Sequence, residues 1–195
     1  TYFMRESDHF DYMQKVVLPW AREQAAATRD LHIWCGASST GEEPYTLAMV
    51  LLDFFGLEHS SWDTKVLATD ISTRVLEHAS RGIYLKEDVD PLPSKWKQRY
   101  FKQISDEEYQ VKDVLKQELI FRQFNLMNPL PFRKKFHIVF LRNVMIYFPN
   151  DTKHQLVQRI YDCMEPGGYL FIGTTESLDR HKIKFQYVQP SIYRK

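Results

Sequence analysis

Two adjacent carboxylates, Glu42 and Glu43, directly follow the small-residue turn Gly36-Ala37-Ser38-Ser39-Thr40-Gly41. Placed at the start of a helix they complement its macrodipole. They also repel a pyrophosphate, the usual guest of such a helix start. The turn lacks the third glycine of a dinucleotide fingerprint, and Gly41 is not followed by the Lys-Ser/Thr of a phosphate loop. This excludes the ordinary nicotinamide and nucleotide-triphosphate sites. The carboxylates then have two readings, dipole compensation alone or contact with a cationic cofactor. S-adenosylmethionine, with an ammonium, a sulfonium and no phosphate, has the required charge.

Asp70 closes a second apolar run, where Rossmann-like folds place an acid on ribose hydroxyls. It could instead cap the next helix, but Ser72 is available for that. Asn125 closes a third run, and reads either as a partner for an adenine edge or as the cap of a turn before Asn128-Pro129. Arg142-Asn143 abuts the apolar string Val144-Met145-Ile146-Tyr147-Phe148. Val144, Met145 and Ile146 read as packing residues. Tyr147 reads equally as a core tyrosine whose hydroxyl is satisfied.

These residues fall at the ends of short apolar runs that read as buried strands: Leu31–Cys35, Lys65–Thr69, Leu119–Phe124, Phe136–Leu141 and Tyr169–Gly173. Helical patterns alternate with them. His9–Gln24 has helical spacing, with Pro19 expected to kink or end it. Glu42–Phe55 is a helix with Pro44 in its first turn and Gly56 as its stop. A helix capped by Ser72 runs through Ala79, and Asp151–Met164 is amphipathic with Asp151 or Asn150 as cap. Pro166-Gly167-Gly168 reads as the turn leading into the last parallel strand. Phe185–Val188 and Ser191–Arg194, broken by Pro190, form a closing hairpin. Residues 86–116 are polar, carry Pro91 and Pro93, and read as a small inserted subdomain with a helix over Ser94–Tyr100 and short strands around Tyr109–Val111. The expected architecture is α/β: a Rossmann-like, mostly parallel sheet with helices on both faces, an antiparallel C-terminal hairpin and this small β insertion. Ligands bind such sheets at the carboxyl ends of the strands.

The chain has 195 residues, 44% hydrophobic and 26% charged, with a net charge of +1. That suits one catalytic domain over residues 1–195 with a substantial core, and gives no global field for nucleic acid. Cys35 and Cys163 read as reduced thiols of a cytoplasmic protein. The seven histidines lack zinc-type spacing, so no metal is expected. No apolar run approaches the roughly 18 residues of a span, and Arg5, Glu6 and Asp8 interrupt any signal-peptide core. The start at Thr1 reads as that of a fragment.

Several strings resemble the bacterial chemotaxis receptor methyltransferases (CheR). They are Thr1-Tyr2-Phe3-Met4-Arg5, Ser39-Thr40-Gly41-Glu42-Glu43-Pro44-Tyr45, Ala68-Thr69-Asp70-Ile71, Asn125-Leu126, Arg142 through Phe148, and Pro166 through Gly173. They occur in family order over nearly the whole chain. The resemblance implies S-adenosylmethionine as donor, S-adenosylhomocysteine as product, and glutamate carboxylates of the cytoplasmic domain of chemoreceptors as acceptors. It implies cofactor contacts from Thr1, Arg5, Glu42, Glu43, Asp70, Asn125, Leu126, Arg142 and Asn143. Tyr147 is implied near the transferred methyl. Arg142 or Arg5 would steer a carboxylate of cofactor or substrate by paired hydrogen bonds, which makes Tyr147 and Arg142 the catalytic candidates. The family's N-terminal helical domain is absent, His137 stands for an aspartate common before the fourth strand, and Thr174 for a histidine. The segment Gln103–Lys116 lacks the glycine-rich loop of members that grip a receptor pentapeptide, so the chain resembles the pentapeptide-independent group, acting as a monomer without membrane insertion. Other readings keep the fold but change the acceptor to another protein or a small molecule, or make the chain a non-catalytic cofactor sensor.

Overall fold

Successive side chains of a strand point to opposite faces of its sheet, and here both faces are apolar. The computed structural model describes all residues, Thr1–Lys195. In β1 (Ile33–Gly36), Ile33 and Cys35 enter one hydrophobic cluster while Trp34 enters a second. The strands that follow are β2 (Val66–Asp70), β3 (Ile83–Leu85), β4 (Phe101–Gln103), β5 (Glu108–Val111), β6 (Leu119–Gln123), β7 (Phe136–Leu141), β8 (Met164–Ile172), β9 (Gln186–Gln189) and β10 (Ile192–Arg194). β7 and β8 alternate like β1, with Ile138, Phe140, Tyr169 and Phe171 on one side and Val139, Leu141, Leu170 and Ile172 on the other. Such two-faced burial requires helices on both sides.

The helices are α1 (Asp8–Tyr12), α2 (Leu18–Gln24), α3 (Glu42–Phe55), α4 (Thr73–Arg81), the single turn α5 (Lys86–Val89), α6 (Ser94–Tyr100), the single turn α7 (Asp113–Lys116) and α8 (Asn150–Asp162). The N-terminal helices and α3 cover the first face and α8 the second. Seven strands form the main sheet in the order β6-β2-β1-β7-β8-β10-β9. Its first five members are parallel, and β10 runs antiparallel to both β8 and β9. Phe10 stacks on Phe140 at 5.7 Å and Phe140 on Phe171 at 4.3 Å, seating α1 on β7 and β8.

The small antiparallel sheet β3-β5-β4 starts at Ile83, three residues before the stretch that composition sets apart. It packs on the main core: Tyr84, Phe101 and Val111 join the same cluster as α3. The Tyr84 hydroxyl donates to the Thr40 carbonyl at 2.6 Å, so this sheet buttresses the turn after β1.

Four local expectations are corrected. Pro19 does not end the first helix, because a π turn over Met13–Val17 precedes it and places Pro19 in the first turn of α2, where no intrahelical N–H is needed. Neither Asp151 nor Asn150 caps α8. The helix begins at Asn150 after Pro149, with no side-chain cap bond, and stops at Asp162. Pro166-Gly167-Gly168 is a bulge inside β8 rather than a turn before it, since Met164 pairs with Phe136 and Tyr169 with Ile138. Gly167 has φ 80°, and a Cβ on Gly168 would lie 2.9 Å from the carbonyls of Glu165 and His137, so only glycine allows the bulge. Finally, Ile146 is exposed, whereas Met145 is buried and the half-buried Val144 packs against the second cluster as expected.

Candidate active site

The carboxyl ends of β1, β2 and β7 open onto two adjoining cavities that share Ala37, Asp70 and Val144. The first, 290 Å³, is polar and is lined among others by Thr1, Arg5, Ser39, Glu43, Arg142, Asn143 and Tyr147. The second, 330 Å³, is apolar except for Asp70 and Asn125, with Ile71, Phe124, Leu126, Met127 and Phe148 as its other walls. An elongated ligand with one charged end and one flat, weakly polar end matches this division.

Backbone strain concentrates here. Ala37 (φ 65°), Ser39 (φ 49°) and Gly41 (φ 104°) put the turn after β1 in left-handed conformations, and Asn143 (φ 56°) does the same after β7. For non-glycine residues this is costly and marks functional geometry. Asp70 holds the turn: its Oδ2 accepts from Ser39 N at 2.9 Å and its Oδ1 from Ser72 N at 3.0 Å. Ser72 in turn caps α4, its hydroxyl accepting from Val75 N at 3.4 Å. Asp70 therefore braces the loop and faces both cavities.

Of the two carboxylates that open α3, the structure brings only Glu43 to the cleft. Neighbouring helical residues point about 100° apart, and Glu42 turns back to accept from the Thr40 hydroxyl at 2.7 Å. Glu43 lies over the core. Burial raises its pKa against the opposing pull of Arg142, and the Cys35 thiol donates to it at 3.1 Å. The same burial, with Glu43 beside it, pushes the Cys35 thiol well up.

Arg142 is not free to grip a ligand carboxylate. Only 5% exposed, it sits in the cleft floor with Nε 2.8 Å from Glu43 Oε2, although that N–H is not aimed at the oxygen. Its other nitrogens reach His9 Nδ1 at 3.2 Å and the Arg5 carbonyl. Glu6 lies 3.7 Å from it. Burial drives the Glu6 carboxyl up, but Arg142, Asn143 and Thr174 together hold it below the usual carboxylate range. The Arg5 side chain has no such acid partner and lines the polar cavity.

Tyr147 is 76% exposed at the cleft mouth, which rules out a core role. Asn125 caps its turn, Oδ1 accepting from Met127 N at 2.9 Å, and the residue also lines the apolar cavity beside the buried Leu126. Thr1 is exposed on the polar rim.

Sequence reasoning missed Glu6 and Glu176. Glu6 Oε1 accepts from the Asn143 side-chain amide, Thr174 N and Thr174 Oγ1. Glu176 binds backbone N–H groups on two strand ends. Glu6 adjoins the Arg5 string and could have been suspected as its neighbour. Nothing local in the sequence marks Glu176.

This sheet, with a two-part cleft at its carboxyl ends built from an acid after β1 and another after β2, defines a Rossmann-like S-adenosylmethionine-dependent methyltransferase. Residues 1–194 match the family described as CheR methyltransferase, SAM binding domain. The chain is 39% identical to a chemotaxis protein methyltransferase of Borreliella burgdorferi, over 100% of this chain and 70% of that protein. It is 37% identical to chemotaxis protein methyltransferase 1 of Vibrio cholerae, over 97% and 68%. The structure of the CcbJ methyltransferase from Streptomyces caelestis superimposes with a TM-score of 0.45 and 13% identity, over 78% of this chain and 49% of that one. The chain belongs to the CheR methyltransferase family, as its S-adenosylmethionine-binding domain.

Proposed function

We propose that the chain transfers a methyl group from S-adenosylmethionine to glutamate side chains in the cytoplasmic domain of chemoreceptors, leaving S-adenosylhomocysteine and a glutamate methyl ester. The observation that carries the cofactor half is the pair of cavities joined at Asp70, one polar and one apolar. The relatives' names carry the acceptor half. No helix of the chain is long and apolar enough to cross a membrane, which fits an enzyme that meets the receptor at its cytoplasmic domain.

In this reading the Asp70 carboxylate receives the ribose hydroxyls at the junction of the cavities. Asn125 offers its amide to the adenine edge, with Leu126 and Phe148 against the ring. Glu43 faces the ammonium group, Arg5 the carboxylate, and Thr1 and Asn143 complete the polar rim. Arg142 holds Glu43 and the Arg5 backbone in place rather than gripping a carboxylate itself. When bound, S-adenosylmethionine supplies a methyl carbon made electrophilic by its sulfonium.

Little else is demanded of the protein. A glutamate side chain has a pKa of about 4.3 and is an anion at neutral pH, so no general base is needed. Positioning remains, worth roughly 7–11 kcal/mol in well-oriented cases. The Tyr147 hydroxyl, exposed at the mouth, orients the incoming carboxylate. The test is incubation with labelled donor and receptor-containing membranes. Alkali-labile label on the receptor is expected, and Tyr147→Phe should lower kcat about tenfold while leaving the Kd for S-adenosylhomocysteine unchanged. Alkali-stable label, or none on any receptor preparation, overturns the acceptor assignment. Unchanged turnover in the variant removes Tyr147 from the mechanism.

A further inference from the structure

Glu176 follows β8 and is 7% exposed, yet it has no cationic partner within salt-bridge distance. Its carboxylate is satisfied by three backbone N–H groups. Oε2 accepts from Gly173 N at 2.7 Å and from Asn143 N at 2.9 Å, and Oε1 accepts from Ile146 N at 3.2 Å. Its own N–H donates back to the Gly173 carbonyl at 2.9 Å. A buried carboxylate used in this way costs more to desolvate than it returns unless all its bonds are made, so it specifies geometry more than stability.

The three donors lie in a telling place. Gly173 ends β8, Asn143 follows β7 in a left-handed conformation, and Ile146 sits in the single 3-10 turn Met145–Tyr147. One side chain thus clamps the segment 143–147 onto the end of the neighbouring strand. Asn143, Val144 and Tyr147 of that segment all line the polar cavity. The contact with β8 is close: a Cβ on Gly173 would lie 2.9 Å from Asn143 N and would overlap the Asn143 side-chain amide. Glu6 also accepts from the same amide, at 3.3 Å.

The geometry points to Glu176 as a positioning residue for the transfer step, fixing Tyr147 and Asn143 over the cleft so that the acceptor carboxylate is aligned. This rests on the methyl-transfer reading above. Glu176 lines neither cavity, and the cofactor-facing groups Arg5, Glu43, Asp70 and Asn125 do not depend on it for their hydrogen bonds, whereas Asn143 on the polar rim does so through its backbone N–H. Its loss should therefore act mainly on turnover and little on cofactor affinity.

Glu176→Gln is close to isosteric but turns one oxygen into a donor facing a backbone N–H. Measured with receptor and labelled donor, kcat should fall between about tenfold and a hundredfold, as expected for misplacement of reacting groups by an ångström or less. The Kd for S-adenosylhomocysteine should stay within about threefold of the parent. Gly173→Ala, which displaces the same segment while keeping the Glu176 carboxylate, should reproduce that split and decides the matter where Glu176→Gln does not fold. Unchanged kcat in a folded variant, or a loss of cofactor affinity that matches the loss of turnover, overturns the proposal. The two readings fail separately: no transfer by the parent protein sinks the receptor assignment, whereas an active parent with an equally active Glu176→Gln sinks only the positioning role.

Discussion

Replacing Asp70 with alanine removes two things at once, and they can be measured apart. The carboxylate anchors the turn after β1 through Ser39 N and the start of α4 through Ser72 N. Each N–H left without a partner costs about 1–3 kcal/mol where it is buried. Both groups are only partly buried, so a combined loss of about 2 kcal/mol is expected, lowering Tm by roughly 4–8 °C for a chain of this size. The second loss is the acceptor for the ribose. A hydrogen bond to a charged group contributes about 1.5–3 kcal/mol, and each 1.4 kcal/mol is about tenfold in Kd. The Kd for S-adenosylhomocysteine should therefore rise from about tenfold to about 150-fold. Calorimetry with S-adenosylhomocysteine and with 5′-methylthioadenosine separates the causes. Both ligands carry the ribose, so Asp70→Ala should weaken them by the same factor. A folded Asp70→Ala protein whose Kd for either ligand stays within about twofold of the parent would refute the ribose assignment.

Arg5→Ala gives the complementary pattern. Because 5′-methylthioadenosine lacks the amino-acid carboxylate, binding of S-adenosylhomocysteine should weaken about tenfold or more and that of 5′-methylthioadenosine should not change; equal weakening of both would place Arg5 elsewhere. Gly41→Ala demands φ 104° of an L-residue and sets a Cβ 2.6 Å from the Tyr84 hydroxyl and 2.8 Å from Ala79 Cβ. It should cost about 3 kcal/mol in thermal unfolding, and a Tm within two degrees of the parent would show that the turn relaxes freely. His9 tests the floor of the cleft by pH. Burial and the Arg142 guanidinium push its pKa down to about 4 against the smaller pull of Glu6 and Asp8. The unfolded chain takes up the proton near 6.5, so stability is full above that value and falls as pH drops toward 4. The fall should be on the order of 3 kcal/mol. A His9→Gln variant should lack this slope in denaturant titrations across that window. A slope as steep as the parent's would assign the effect to other groups.

Much of the scaffold was legible because its signals are local. Helix α3 begins and ends at the residues read from sequence, since Gly41, Pro44 and Gly56 each act on their own stretch of backbone. β7 likewise matches its apolar run. The strand ends therefore fell where expected, and with them Asp70, Asn125, Arg142 and Asn143. The errors share a cause as well. Pro19 and Pro166-Gly167-Gly168 read as breaks because each weakens its own segment, but a π turn absorbs the first and pairing with β7 absorbs the second.

What the sequence by itself determined is the strand–helix alternation and the types of side chain waiting at the strand ends, because burial period, capping and turn chemistry are written in short windows. Only the tertiary structure decided which of those side chains face a ligand. Glu42 and Glu43 are indistinguishable as adjacent letters, and a 100° step along α3 sends one to the cleft and the other back to Thr40. Arg142 looked like a ligand for a carboxylate, but residues from the far N-terminus, Arg5, Glu6 and His9, fold over it and occupy its guanidinium together with Glu43. Glu176 carried no signal at all, because the three N–H groups it binds converge only when β7 and β8 lie side by side. A hydrogen bond between distant segments depends on positions in space, and those are fixed by the packing of the whole sheet rather than by any stretch of the chain.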